Sequence, residues 1–382
     1  MAKKKVTFID LFSGAGGFSC GLEMAGFECK LGVDFNKDAI DTFELNHPLS
    51  KSYCGDIKKL TNKKIDEYLS GKSVDLIVGG PPCQGFSTVG TGNPDDQRNS
   101  LFKEFLRIVK HLSPNYVVME NVTGLVAKKN EQSLIGIFKL FKKMGYKMDV
   151  KILSADDYGV PEVRRRTIFI ASKINSDIIF PKKTHGLARK APKTTVNDAI
   201  RDLKAINGEI HNHDIKSCEV KDKLDLKRLK RIPEGQGIRY KRDEEKFLTK
   251  SLRYDVNWEK LPERRFRQTK LYRLNSKQPS PTIMTHRHSY YHPTENRLIS
   301  AREAAAIQSF PNEFKFQGSV TSQWRQIGNA VPPRLAFNIA VAIKKMIKLS
   351  EKSQKTERTF YTNKEIAEKI TSERKLAFSY RS

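Results

Sequence analysis

The chain has 382 residues, 38% of them hydrophobic and 30% charged, and 70 Lys+Arg against 43 Asp+Glu leave a net charge of +27. At roughly 150 residues per domain this length makes two or three domains, and the composition excludes wholesale disorder, a collagen-like repeat and a membrane span of ~18 apolar residues. So much positive charge points to a polyanionic partner, with nucleic acid the first candidate.

The start, MAKKKVTFIDLF, places Asp10 where an export signal would need apolar residues, so the expectation is a cytoplasmic protein. Over the first 180 residues, strand and helix patterns alternate. VTFIDLF (6–12), CKLGVD (29–34), VDLIVGG (74–80), YVVME (116–120) and RTIFIAS (166–172) read as strands. Their nearly continuous apolar character is that of strands buried on both faces, as in a parallel sheet. Between them, residues 19–27, 37–46, 100–112 and 133–145 carry apolar side chains at helical spacing, with Gly26 and Gly145 as stop signals. The fold class this predicts is α/β, an open, doubly wound, mostly parallel sheet.

After residue 180 the alternation fails. Residues 182–275 hold 26 Lys+Arg against 14 Asp+Glu, and Gly, Pro and polar residues break the stretch into short pieces. It reads as a smaller, irregular domain. Helical patterns return at 299–310 and 334–348, and a further helix is expected over 363–376 in a basic extension. The division predicted is 1–181 and 276–349 for one domain built from both ends of the chain, 182–275 for the second, and 350–382 as an extension.

Four segments carry residues suited to chemistry. FIDLFSGAGGF (8–18) is a strand running into a glycine turn, where Gly14, Gly16 and Gly17 allow close approach of a ligand to a helix start. Asp34 ends the next strand, a place that suits hydrogen bonds to ribose hydroxyls. GGPPCQGFS (79–87) follows a strand directly and puts Cys83 at its carboxyl end, where a thiol of lowered pKa can act as a nucleophile. Gly85, Gly90 and Gly92 follow it in a stretch that could move as a lid. Glu120 ends the strand YVVME on the same rim, and Arg164 and Arg166, two apart, would share one face and could grip a base edge or a phosphate. Singly, each has a plainer reading: a glycine turn for packing, an inert buried cysteine, ordinary surface charges. The remaining cysteines, Cys20, Cys29, Cys54 and Cys218, are with Cys83 too few and too scattered for a disulfide framework, and the lack of a CxxC pair argues against a structural zinc site; no metal is expected.

In order, DLFSGAGGF (10–18), GDI (55–57), GGPPCQGFS (79–87), ENV (120–122), RRR (164–166), RLNSKQPSPTI (273–283) and QIGNAVPP (326–333) resemble the DNA (cytosine-5) methyltransferase family in its prokaryotic modification-methylase form. Glu162 departs from the pattern, standing where that family usually has Gln.

The resemblance implies the S-adenosylmethionine-dependent methyltransferase fold and a target-recognition role for 182–275. It also implies transfer of a methyl group from S-adenosylmethionine to C5 of a cytosine flipped out of duplex DNA. By resemblance Cys83 attacks C6, Glu120 in protonated form hydrogen-bonds N3, Arg164 reaches O2, and Arg166 orients the surroundings of Cys83 or binds phosphate. The sequence names no residue for the base that removes the C5 proton. Cofactor contacts fall, by the same resemblance, on Phe12, Gly14, Gly17, Asp34, Phe35, Asp56, Ile57, Pro81, Leu101, Asn329 and Val331. The expected partners are double-stranded DNA and a cognate restriction endonuclease acting on the same site, for an enzyme that is a monomer. The alternative is an RNA cytosine-5 methyltransferase on the same fold, against which the basic insert argues. A non-catalytic nucleic-acid binder would not need Cys83, Glu120 and Arg164 together, and a small-molecule methyltransferase has no use for +27.

Overall fold

The computed structural model describes residues 5–82, 97–174, 177–186, 191–352 and 359–378. Cys83 and the stretch holding Gly85, Gly90 and Gly92 lie outside them. The elements begin β1 (Thr7–Leu11), α1 (Gly17–Met24), β2 (Glu28–Asp34), α2 (Lys37–Asn46), β3 (Lys51–Cys54), α3 (Asn62–Leu69) and β4 (Leu76–Gly79). Next come α4 (Gln97–Leu112), β5 (Tyr116–Val122), α5 (Glu131–Lys143), β6 (Lys147–Ser154), β7 (Glu162–Val163) and β8 (Arg165–Ser172). Short pieces follow: α6 (Val196–Ile200), α7 (Lys223–Leu229), β9 (Ile238–Tyr240), α8 (Lys241–Phe247), β10 (Arg265–Lys270) and β11 (Ser280–Pro281). The chain then turns helical again, with α9 (Ala301–Ile307), α10 (Val320–Asn329), α11 (Pro333–Lys352) and α12 (Asn363–Phe378).

The chain forms two compact units. One comprises Met1–Tyr158, Arg165–Thr184 and Ala330–Ser382, and the other Gly159–Arg164 and His185–Asn329. The first holds a seven-stranded sheet in the order β3-β2-β1-β4-β5-β8-β6. β8 runs antiparallel to β5 and β6, and the other pairs are parallel. The apolar run in RTIFIAS therefore reports burial on both faces and not strand direction. Ile9, Leu11, Leu31, Val33, Ile77, Val117 and Met119 share one apolar layer with Ile65 of α3, Phe105 of α4 and Phe138 of α5. The alternate residues Phe8, Cys29, Val78 and Val118 are equally buried, which is why these strands read as unbroken apolar runs. Each large side chain so buried contributes about 1.5–3 kcal/mol.

α11 returns from the far end of the chain to pack on α1, the helix that follows β1. A Cβ at Gly21 would stand 2.2 Å from the Pro333 carbonyl oxygen, so this crossing requires glycine. The first unit is thus built from both ends of the sequence. Among the described residues no helix is long and apolar enough to cross a membrane.

The second unit is assembled from short pieces. Leu229, Ile232, Ile238, Leu248, Trp258 and Leu271 form its apolar cluster. Buried Arg273 donates to the carbonyls of Leu229 (3.1 Å), Ile232 (2.8 Å), His292 (2.9 Å) and Glu295 (2.6 Å), supplying hydrogen bonds that regular structure would otherwise make. This unit runs to Asn329, beyond the 182–275 drawn from the sequence. Residues 276–329 belong to this unit: Tyr291 packs on its apolar cluster, and α9 lies against α6.

Candidate active site

The turn after β1 is strained in the way a ligand-facing loop is. Phe12 has φ +64°, a left-handed conformation that costs a non-glycine residue about 1–3 kcal/mol. At Gly16 (φ +89°) a Cβ would fall 2.3 Å from His47 Nε2, so no other residue fits there. Asp34, at the end of β2, holds the turn down. Its Oδ2 accepts from Gly14 N and its Oδ1 from Asn36 N, both at 2.9 Å. Burial nevertheless pushes the Asp34 carboxyl above its ordinary value, with the backbone N–H groups acting the other way. Beneath the turn, Ser19 Oγ of α1 donates to Asp10 Oδ2 of β1 at 2.7 Å, and burial raises the Asp10 pKa to about 7.

Beside Asp34 lies a cavity of about 400 Å3, lined by Phe12, Val33, Asp34, Phe35, Gly55, Asp56, Ile57, Lys58, Pro82 and Leu101. Of the residues expected to hold a cofactor, this brings together Phe12, Asp34, Phe35, Asp56, Ile57 and Leu101. Gly14, Gly17, Pro81 and Val331 are not among its lining, and Asn329 belongs to the second unit. Gly14 contributes through its bond to Asp34, and the proline that reaches the cavity is Pro82. Val33, Gly55 and Lys58 were missed, although each is the immediate neighbour of an expected residue. The lining fits a nucleoside: a carboxylate for hydroxyls, apolar side chains, and Phe35 with 77% of its surface exposed beside the opening.

On the far side of β4 in the sheet, Glu120 of β5 pairs in register with Ile168 of β8, and Val122 with Arg166. Glu120 and Arg166 are therefore diagonal neighbours on one face, and Arg166 Nε stands 2.8 Å from Glu120 Oε1. A Cβ on Gly80, at the end of the strand that leads to Cys83, would lie 3.4 Å from Glu120 Oε2. That is an ordinary van der Waals contact, so the carboxylate lies directly beside this backbone.

Arg164 precedes β8, is buried in the second unit, and donates from Nη2 to the Gly328 carbonyl at 2.8 Å. Its Nη1 lies 3.6 Å from Glu162 Oε1. Glu162, the departure from the family pattern, is fully buried and accepts from Ile283 N at 2.6 Å, which ties β7 to the chain after β11. Arg164 itself is the break between β7 and β8, whereas Arg166 lies inside β8 and is paired in register with Val122.

The chain matches, over residues 6–345, the family described as C-5 cytosine-specific DNA methylase. It belongs to that family. The enzyme is accordingly a DNA (cytosine-5)-methyltransferase, of a family whose methyl donor is S-adenosylmethionine and whose substrate is DNA. It is 36% identical to the type II methyltransferase M1.HphI of Haemophilus parahaemolyticus, over 89% of this chain and 87% of that one. It is 35% identical to the type II methyltransferase M.DdeI of Desulfomicrobium norvegicum, over 88% of each. Among solved structures it is similar to a candidate DNA modification methyltransferase encoded within an E. coli prophage, with a TM-score of 0.68 and 27% identity, covering 90% of this chain and 100% of that one.

Proposed function

We propose that this methyltransferase is the modification enzyme of a type II restriction system, methylating C5 of a flipped cytosine within one short duplex sequence through a covalent Cys83–C6 adduct. The observation that carries the chemistry is the Glu120–Arg166 pair, at 2.8 Å, on the rim of the sheet beside the strand that leads to Cys83. The modification role is supported by the type II methyltransferases it is similar to, and a cognate endonuclease cutting the same sequence is the partner this implies. The enzyme works as a monomer.

C5 of cytosine is a weak nucleophile. Addition of the Cys83 thiolate to C6 forms a C–S bond and moves the ring electron pair toward C5, N3 and O2. Glu120 hydrogen-bonds N3, and Arg166, already against Glu120, meets O2. In this reading Arg166 takes the O2 role that resemblance gave to Arg164, because it is Arg166 that stands 2.8 Å from Glu120. Bound S-adenosylmethionine supplies an electrophilic methyl group. C5 takes it with release of S-adenosylhomocysteine, then loses its proton to water; the C–H electron pair re-forms the C5–C6 double bond, the C6–S bond breaks and the Cys83 thiolate is restored. Asp34 would accept from the ribose hydroxyls, and Phe12, Phe35, Ile57 and Leu101, with Asp56 beside them in the cavity lining, would hold the adenine. Gly14, bonded to Asp34, keeps the turn in shape for that contact.

Sequence choice belongs to residues 182–275, whose net charge of +12 suits phosphate contacts that position the duplex while base-edge contacts discriminate. Bisulfite sequencing of DNA from cells expressing the protein tests both parts. The expected result is 5-methylcytosine confined to one short sequence, shifting to a relative's sequence when 182–275 is exchanged for that relative's segment. Methylation at no DNA site would overturn the proposal, and an unchanged site in an active chimera would overturn the division of labour.

A further inference from the structure

α12 lies beyond residue 345, where the family match ends, and nothing in the chemistry above uses it. Its Ile366, Ile370 and Ala377 are buried in the layer that also holds Leu125 and Val126. Four polar contacts give that packing a direction. Glu373 Oε2 accepts from Ile152 N at 2.7 Å. Arg374 donates from Nε to the Val126 carbonyl at 2.9 Å and from Nη2 to Glu131 Oε2 at 2.5 Å. Lys369 Nζ meets Asp149 Oδ2 at 2.9 Å.

The two backbone anchors are informative. Ile152 lies on the edge strand β6, in register with Thr167 of β8. Val126 ends a 3-10 turn, Thr123–Val126, that follows β5 without a break. α12 therefore grips the chain on both sides of β8: β6 on one, the continuation of β5 on the other. β8 carries Arg166 and β5 carries Glu120. An edge strand and a short turn are the parts of a sheet that open most easily, and here both are closed by adjacent residues of one helix.

We propose that Glu373 and Arg374 are positioning residues for the Glu120–Arg166 pair, and that the C-terminal helix serves as a brace setting the geometry of the active site. The proposal rests on the reading of that pair as the group that meets the cytosine ring. Reacting geometry is sensitive to displacements below 1 Å, so a brace on the strand beside β8 and on the continuation of β5 acts on turnover before it acts on binding.

The test uses the full chain, duplex DNA and S-adenosylmethionine, with turnover measured well below the melting temperature. Arg374→Ala is expected to lower kcat by about fivefold or more, while the KM for DNA and the affinity for S-adenosylmethionine stay within about twofold. Arg374→Lys should recover only part of the loss, because an ammonium does not present the guanidinium fork that joins Val126 to Glu131. Ile366→Val removes one methyl group from the same helix and leaves the Glu373 and Arg374 contacts in place, and is expected to lower Tm with kcat within about twofold of wild type. If Arg374→Ala fails to fold, Glu373→Ala, which removes a single hydrogen bond, is read in the same way. A folded Arg374→Ala or Glu373→Ala enzyme with wild-type kcat, beside an inactive Glu120→Gln enzyme, would overturn the brace and leave the pair standing. A fully active Glu120→Gln enzyme would overturn both.

Discussion

Glu120 near the end of β5 and Arg166 near the start of β8 meet at 2.8 Å as diagonal neighbours on one face of two antiparallel strands. Their side chains are 12% and 15% exposed, so the pair is largely shielded from water yet open on one side. Strand β8 is the one reversed strand of the described sheet, and the reversal is what brings an arginine from its start to the carboxyl end of β5. The pair is a product of topology, and its two members are 46 residues apart in sequence.

Glu120→Gln should lower kcat/KM for DNA methylation by about 10²–10³-fold, because an amide cannot offer N3 the same charge-assisted bond. Arg166→Ala should do the same, and should in addition destabilise the fold by about 1–3 kcal/mol by leaving the Glu120 carboxylate without its partner. Steady-state kinetics together with denaturant melts check both. Equal loss of stability in the two variants with full activity in either would remove the pair from the mechanism.

Asp34 serves two masters, the turn at Gly14 and the ligand. Asp34→Asn keeps an oxygen for Gly14 N or Asn36 N but weakens the acceptor presented to hydroxyls, so S-adenosylmethionine should bind about 1–3 kcal/mol more weakly. Asp34→Ala removes both functions and should also lower Tm. Calorimetric titration reads the first effect, and an unchanged affinity in Asp34→Ala would put the methyl donor elsewhere.

Asp10 gives stability a pH dependence of defined sign. Its pKa, raised by burial from the ordinary 3.8 to about 7, favours the neutral carboxyl in the folded state. Its contribution is complete below the unfolded value near 3.8 and is lost as pH rises through about 7. Asp10→Asn, which leaves an oxygen to accept from Ser19, should flatten that part of the pH–stability curve and gain most relative to wild type near pH 8. Melting temperatures collected between pH 5 and pH 8 suffice. Parallel curves for the two proteins would mean that Asp10 is charged in the folded state.

Most of the first unit was legible in the sequence because its central strands bury both faces and so appear as unbroken apolar runs. β3 (KSYC) and β6 (KMDVKILS) were not, since each is an edge strand with polar residues toward water or toward α12, and alternation over four to eight residues is a weak signal. The second unit hides for another reason: much of its order comes from single buried groups such as Arg273 and Trp258, which have no period to read. At the site, Asp34 and Glu120 could be found because strand ends are where such sheets bind ligands. The partner of Glu120 could not. RRR (164–166) offers three arginines, and only the break between β7 and β8 decides that Arg166 turns to Glu120 while Arg164 is drawn to Gly328.

The central claim is that Cys83 adds to C6 of the target cytosine while Glu120 and Arg166 hold the ring. A duplex carrying 5-fluorocytosine at the target position tests it most directly, since fluorine at C5 cannot leave as a proton does and the adduct cannot eliminate. With S-adenosylmethionine present, the wild-type enzyme should form a denaturant-resistant protein–DNA complex whose cross-linked peptide contains Cys83. Cys83→Ser should form none while binding S-adenosylmethionine as the wild type does. A Cys83→Ser enzyme that still methylates DNA, or a wild-type enzyme that turns over on DNA yet is never trapped, would contradict the account.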